Sequence, residues 1–251
     1  MEKKLKEYRF FLKDSIRKMI DFSKTDQNKG VEKPPIEKPC SADAWKIDLV
    51  RPQDWKDIQE FDLVSAIGGR RSRRKYKEEP LSLEEISFLL WATQGIRGKP
   101  FAGNAFRTVP SAGCRHAFET YLAIFNIQGL QEGIYRYLPV SHQLLWEFSP
   151  HDLPGKIAAA AFGQAFAGRA AITFLWTAIP YRMEWRYGLA AHKVIAIDAG
   201  HVCQNLYLAC EAIGAGTCAI AAYDQQAADA LLRVDGEEEF VLYMAPVGKC
   251  G

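Results

Sequence analysis

The sequence predicts an α+β fold, and three observations carry that prediction. Helical periodicity and short β-like apolar runs both occur, two of the runs straddle a polar turn as a hairpin would, and strand and helix do not alternate regularly as in a doubly wound sheet. The stretch "LSLEEISFLLWATQGI" (81–96) predicts a helix, because Ser82 and Glu85 form a capping box and Ile86, Leu89 and Leu90 share one face. The runs "ETYLAIFNI" (119–127) and "AITFLWTAI" (171–179) predict strands from their aromatic and branched residues, and "EGIYRYLP" (132–139) with "HQLLWEF" (142–148) predicts the hairpin. A long buried helix follows over "IDAGHVCQNLYLACEAIG" (197–214), stopped by Gly214. "DQQAADALLRV" (224–234) is a helix capped by Asp224, and "EFVLYMAPVG" (239–248) is the last core strand.

Upstream of this material the chain reads differently. Residues 1–23 place Leu5, Tyr8, Leu12, Ile16 and Met19 at helical spacing among lysines and arginines, an amphipathic helix suited to the body of the protein, a partner subunit or a membrane surface. "TDQNKGVEKPPIEKP" (25–39) is polar and proline-rich and predicts an extended arm. The expected organisation is therefore an N-terminal helix and arm over 1–57 and a core domain over 58–251.

At 251 residues with 48% hydrophobic side chains, the chain can bury one sizeable core. A net charge of +2 is too small for a protein that coats nucleic acid through its phosphates. No run is long and apolar enough to predict a membrane span, and the N-terminus lacks a signal peptide's apolar region, so a cytoplasmic protein is expected. The six cysteines form no CxxC pair, and no His or Cys spacing suggests a metal site.

Three stretches could carry chemistry. "RRSRRKYK" puts six basic side chains into the eight residues from Arg70 to Lys77. It reads as a compact phosphate site, in which arginine forks and the Ser72 hydroxyl bind oxygens, or as a solvated charged loop. Nucleic-acid binding fits less well, because aromatic interleaving is limited to Tyr76 and the run ends in two glutamates. In "RTVPSAGCRHAFETY", Pro110 fixes the chain while Ser111, Ala112 and Gly113 are small enough either for a flat ligand to lie against the backbone or for a tight turn. The small residues of "AIGAGTCAIAAYD" around Ile220 suggest a backbone ledge with free N–H groups, or a close packing of two elements.

In this order the three stretches resemble the nitroreductase family of flavin mononucleotide (FMN) enzymes, and within it the SagB-type dehydrogenases that include thiazole- and oxazole-forming oxidases. The resemblance covers roughly Ile58 to Lys249, through "RRSRRKY", "RTVPSAGCRHAFETYL", "GIYRYLP", "IDAGHVCQNLYLA" and "VLYMAPVGK". It implies a mostly antiparallel central sheet flanked by helices and completed by homodimerisation, with the N-terminal arm wrapping the partner. It also implies FMN as cofactor, with Arg70 and Ser72 on its phosphate, Arg71 along the ribityl chain and Arg74 at the pyrimidine edge. Pro110, Ser111, Ala112, Gly113 and Cys114 would pack on the ring from the other subunit, although many relatives carry Asn where Cys114 stands. Ile220, Ala221 and Ala222 fall where the family presents a main-chain N–H to flavin N5, and Lys249 falls near the phosphate. The implied activity is hydride transfer in two half-reactions, with NAD(P)H as donor. The alternatives are azoline oxidation on a peptide and a flavin-binding protein without turnover. Azoline oxidases use a lysine–tyrosine pair before the segment matching "IDAGH". Here Lys193 is retained, Val194 stands in place of the tyrosine, and His192 is the possible substitute.

Overall fold

The computed structural model describes residues 2–251, so Met1 of the expected first helix lies outside it. In chain order the elements are α1 (Glu2–Leu12), β1 (Lys46–Asp48), α2 (Leu63–Gly69), α3 (Leu83–Gln94), β2 (Ile96–Phe101), β3 (Asn104–Arg107), β4 (Phe118–Ile124), β5 (Gly133–Leu138), β6 (Gln143–Phe148), α4 (Leu153–Ala160), β7 (Ile172–Ala178), α5 (Tyr181–Tyr187), α6 (Ala191–Ala212), β8 (Ala215–Thr217), α7 (Gln225–Leu232) and β9 (Phe240–Lys249). The order in the main sheet is β1-β6-β5-β4-β7-β9-β8, and every neighbouring pair is antiparallel. β2 and β3 form a separate antiparallel hairpin. The α+β expectation holds, with all its expected strands in the central sheet.

β4, β5 and β7 are buried at every residue, so both faces of the sheet are covered. Successive side chains point to opposite faces. Leu122, Phe174 and Trp176 join the core with α3 and α6, while Tyr121, Ala123 and Leu175 join the core with α4 and α7. The predicted caps are present: Ser82 and Glu85 exchange both capping-box bonds, and the Asp224 carboxylate accepts from Ala227 N–H at 3.0 Å. Gly214, at φ +61°, ends the α6 region in the left-handed conformation glycine tolerates.

Two N-terminal expectations are corrected. The helix expected over 1–23 stops at Leu12 and gives way to 3-10 turns at Asp14–Met19 and Phe22–Lys24. Asp21 offers the backbone a rival partner there, accepting from Ser23 N–H at 3.1 Å, and Asp14 pairs with the Arg17 side chain at 2.9 Å. The arm has no regular structure, as expected, but it lies on its own chain. Buried charges in β4 and β5 explain why. Glu119 accepts from Lys38 N–H at 2.7 Å and from Arg182 at 2.5 Å, and Arg136 donates to the carbonyls of Lys38 at 2.7 Å and Pro39 at 3.2 Å. Arg107 donates to the Ile36 carbonyl at 2.6 Å, and Lys38 Nζ pairs with Glu239 at 2.5 Å. Among the described residues, no helix is long and apolar enough to cross a membrane.

Removing Glu119 leaves Arg182 as a buried charge without its carboxylate, while Arg136 keeps Glu147 at 2.9 Å; breaking a buried pair of this kind costs about 3–5 kcal/mol. Glu119→Ala is therefore expected to lower unfolding stability by about that amount in urea titration, and to expose 31–40 to limited proteolysis. A loss below about 1 kcal/mol would show that the cluster is not what holds the arm.

Candidate functional site

Asp62 caps α2 by accepting from Ser65 N–H at 2.8 Å, and the chain leaves the helix extended at Arg70. The basic segment then runs along the edge of the main sheet. Ser72 bridges Thr217 in parallel, Arg73 N–H donates to the Thr217 carbonyl at 2.9 Å and Lys77 N–H to the Lys249 carbonyl at 2.9 Å. Glycines allow this approach: a Cβ on Gly216 would stand 2.4 Å from Arg73 Cγ, and one on Gly248 would stand 2.9 Å from Tyr76 Cβ. The Tyr76 hydroxyl donates to the Arg73 carbonyl at 2.8 Å and fastens the segment.

With Arg73 and Tyr76 turned onto the sheet, Arg70, Ser72 and Arg74 are left for the α6 side and solvent. The Arg70 guanidinium lies 5.2 Å over the Tyr207 ring, Ser72 Oγ is 3.1 Å from Tyr207 Oη, and the Arg74 guanidinium is 5.8 Å from the Phe166 ring. Arg71 is exposed. Among the described residues none of Arg70, Arg71, Arg73 and Arg74 forms an ion pair, whereas the buried Arg136 and Arg182 do. A cluster of guanidinium groups with a hydroxyl and no ion pair among the described residues suits an added anion.

The small ledge adjoins this cluster. Ala219 N–H donates to Tyr207 Oη at 2.9 Å, so Tyr207 joins Ser72 to the ledge. Burial raises the Cys218 thiol above its ordinary value, while the Arg74 charge and a hydrogen bond with Ser72 oppose the shift. Ile220 is exchanged backbone to backbone with Met244, at 2.7 and 3.2 Å, and its side chain is core. Ala221 and Ala222 are exposed, and their N–H groups have no acceptor among the described residues. Two donors without an acceptor thus lie on the exposed ledge that Tyr207 joins to Ser72.

The PSAG turn is built separately. Ser111 Oγ accepts from His116 N–H at 2.9 Å, Ala112 N–H donates to Asp198 at 3.3 Å and Cys114 N–H to the Ser111 carbonyl at 3.0 Å. Gly113 has φ +60°, and a Cβ there would meet Tyr187 Oη at 2.5 Å, so the turn requires glycine twice over. Cys114, also at positive φ, directs its thiol to the Ala105 carbonyl at 3.1 Å, with His116 Nε2 3.8 Å away. Burial, then the charges of Arg107 and Arg115, pushes His116 down to about 3. Pro110 and Gly113 are the turn's exposed surface.

The basic segment and the ledge converge within one chain; the PSAG turn does not join them. Asp198, which holds the turn, and Tyr207, which holds the basic segment, are nine residues apart on α6. Nine residues turn an α-helix through roughly 900° and advance it about 13.5 Å, which puts the two on opposite faces. Lys193 is farther away still, on the first turn of α6. There its charge makes a minor contribution to holding the Asp14 carboxyl low, after the hydrogen bond from Arg17. His192 is paired with Glu184 at 2.7 Å. Lys249 bonds the Glu85 carboxylate and the Ile213 carbonyl at 2.8 Å, tying β9 to α3 and to the end of α6. Tyr207 is the residue that the sequence did not single out. Its signal was a hydroxyl-bearing aromatic in an otherwise apolar helical stretch.

The model of the Nitroreductase family matches residues 67–249, from the last turn of α2 to the end of β9. The chain belongs to the nitroreductase family. It is therefore a flavin-dependent oxidoreductase. A nitroreductase-like protein of Methanocaldococcus jannaschii is 32% identical over 193 residues, 77% of this chain and 93% of its own length. Among solved structures, a nitroreductase-like protein of Ralstonia eutropha aligns over 87% of this chain and 96% of that one, with TM-score 0.68 and 25% identity. One from Anabaena variabilis aligns over 83% of this chain with TM-score 0.66 and 22% identity, and this chain spans only 42% of its length. The Escherichia coli microcin synthetase McbBCD complex, solved with truncated pro-MccB17 bound, contains the same fold at TM-score 0.60 and 20% identity, over 81% of this chain and 77% of that one.

His116 stays neutral in the folded nitroreductase down to about pH 3, while the unfolded chain takes up its proton below the ordinary 6.5. Its contribution to stability is therefore complete above about pH 6.5 and is lost as the pH falls from there toward 3. His116→Asn, which tolerates the positive φ, is expected to flatten the fall in urea midpoint between pH 7.5 and 4.5. Parallel curves for the two proteins would contradict this account of His116.

Proposed function

We propose that the chain is an FMN-dependent oxidoreductase that works as a homodimer in two half-reactions, with NAD(P)H as the electron donor. One observation carries the reading: among the described residues, an arginine cluster with a hydroxyl and no ion pair is joined through Tyr207 to a ledge where the Ala221 and Ala222 N–H groups have no acceptor. Bound FMN would supply reversible two-electron hydride chemistry. The residues present fit that cofactor. Arg70 and Ser72, braced by Tyr207, would hold the phosphate, Arg71 would follow the ribityl chain, and Arg74 would supply positive charge at the pyrimidine edge, favouring negative charge on the ring. A main-chain N–H of Ala221 or Ala222 would serve N5, on a ledge that Ile220 anchors through its bridge to Met244. Lys249 supports the phosphate end from behind through Glu85.

Pro110, Ser111, Ala112, Gly113 and Cys114 face the ring from the second subunit. The opposite-face placement of Asp198 and Tyr207 on α6 supports that assignment, because one chain holds the two halves apart. The donor is NAD(P)H rather than an azoline peptide. Valine at position 194 cannot relay a proton, and Lys193 sits beside Asp14. The six free cysteines fit a cytoplasmic protein.

After reconstitution the protein is expected to hold one FMN per chain and to be bleached by NADPH or NADH and recoloured by a quinone or nitroaromatic. Arg74→Glu, at an exposed position, is expected to keep the flavin but lower its midpoint potential by roughly 30 mV or more, a tenfold shift for a two-electron couple. Absence of flavin after reconstitution would remove the reading, and an unchanged potential would reduce Arg74 to surface charge.

A further inference from the structure

α4 and α7 cover the face of the sheet away from α6, and alanines stand where the two helices meet. Lys156, Ala159 and Ala160 are spaced i, i+3, i+4 on α4, and Ala227, Ala230 and Leu231 are spaced the same way on α7, so each set shares one face. Methyl groups are too short to close the space between the helices. An apolar groove of about 360 Å³ is left there, with Phe148 and Pro150 in its wall. Its floor is the core, through Ile157, Ala228 and Leu232.

The groove has a charged end and an apolar end. The Ala160 carbonyl accepts from Asp224 N–H at 2.7 Å, which joins the end of α4 to the start of α7. Arg233, at the end of α7, holds its guanidinium 3.8 Å from the centre of the Phe148 ring, shortly before α4 begins. The helices therefore run antiparallel, and Lys156 and Arg233 stand at one end while Ala160 and Ala227 mark the other. From Ala227 to Arg233 the chain advances about 9 Å.

No acid lines the groove. Among the described residues, the side chains of Lys156 and Arg233 form no hydrogen bond or ion pair. Acids close to them in sequence are engaged elsewhere: Glu147 with Arg136 at 2.9 Å, Asp152 with Gly155 N–H at 3.2 Å and Asp229 with Val241 N–H at 2.7 Å. A guanidinium held over an aromatic ring keeps its in-plane N–H donors for an anion, and a planar carboxylate meets that fork with two parallel bonds.

We propose that this groove binds a small aliphatic monocarboxylate, with its carboxylate between Arg233 and Lys156 and its hydrocarbon chain along the alanines toward Ala160 and Ala227. The charged end lies at the end of α7 away from the ledge of Ala221 and Ala222. The inference goes beyond the proposed oxidoreductase activity and stands without it.

The test titrates the full chain, reconstituted with FMN, with sodium octanoate in a calorimeter. One octanoate per chain is expected. Octanol, with the same chain and no charge, and butyrate, with the same head and a shorter chain, are each expected to bind roughly tenfold more weakly or less. Arg233→Gly removes the fork and keeps the left-handed backbone, at φ +58°, without strain. It is expected to weaken octanoate to the level of octanol. Ala230→Phe, at an exposed position, fills the groove and is expected to abolish octanoate binding while the protein keeps its flavin. No saturable octanoate binding, or octanol bound as tightly as octanoate, overturns the proposal. Octanoate bound undiminished by both variants would assign it to another site, such as the arginine cluster, and would overturn the proposal too. A protein that takes up no flavin is titrated in the same way, so that failure of the flavin reading is seen separately.

Discussion

A single helix with two opposed faces constrains everything the site can be. α6 runs for 22 residues, and it holds the PSAG turn through Asp198 on one side and the basic segment through Tyr207 on the other. Its length and burial come from the core it shares with α3 and the sheet, through residues such as Val202, Leu206 and Ala209. Because the core fixes the helix, neither half of the site can swing round to meet the other in the same chain. That separation supports the proposal that a planar ligand needing both halves lies between two chains.

The halves are held rigidly, by different means. At the sheet edge, Gly216 and Gly248 let the backbone of the basic segment approach to hydrogen-bonding distance, which fixes Arg70, Ser72 and Arg74 on the outward side. At the turn, rigidity comes from buried charge. Arg107, at the end of β3, is bonded to Gln94 at 2.7 Å and to the arm at Ile36, so the arm fastens the strand that leads into Pro110. The arm is itself held by Glu119 and Arg136 in the middle of the sheet. The N-terminal segment is thus part of the scaffold of the turn, as well as the bearer of α1.

Much of this was legible in the sequence because it is local. The capping box of Ser82 and Glu85, the Asp224 cap and the hairpin over 132–148 each depend on residues within a few positions of one another, and each formed as read. The three chemical stretches could be located by composition. Their relation could not, since a phase of half a turn on α6 emerges only once Asp198 and Tyr207 have partners. Gly216 and Gly248 look like ordinary strand glycines until Arg73 and Tyr76 arrive from more than 140 residues away. The docking of the arm was likewise hidden, because distant buried charges decided it.

The claim that two chains complete each site can be measured by complementation. One chain would carry Arg70→Glu with Arg74→Glu and the other Gly113→Val, each pure protein binding no flavin after reconstitution. Refolded as an equal mixture, half of the dimers are mixed, and in each mixed dimer one of the two sites is built from intact halves. The account predicts that flavin binding returns to about a quarter of the wild-type amount. No recovery in a mixture shown to contain mixed dimers would mean that each site is built within one chain, and would contradict it.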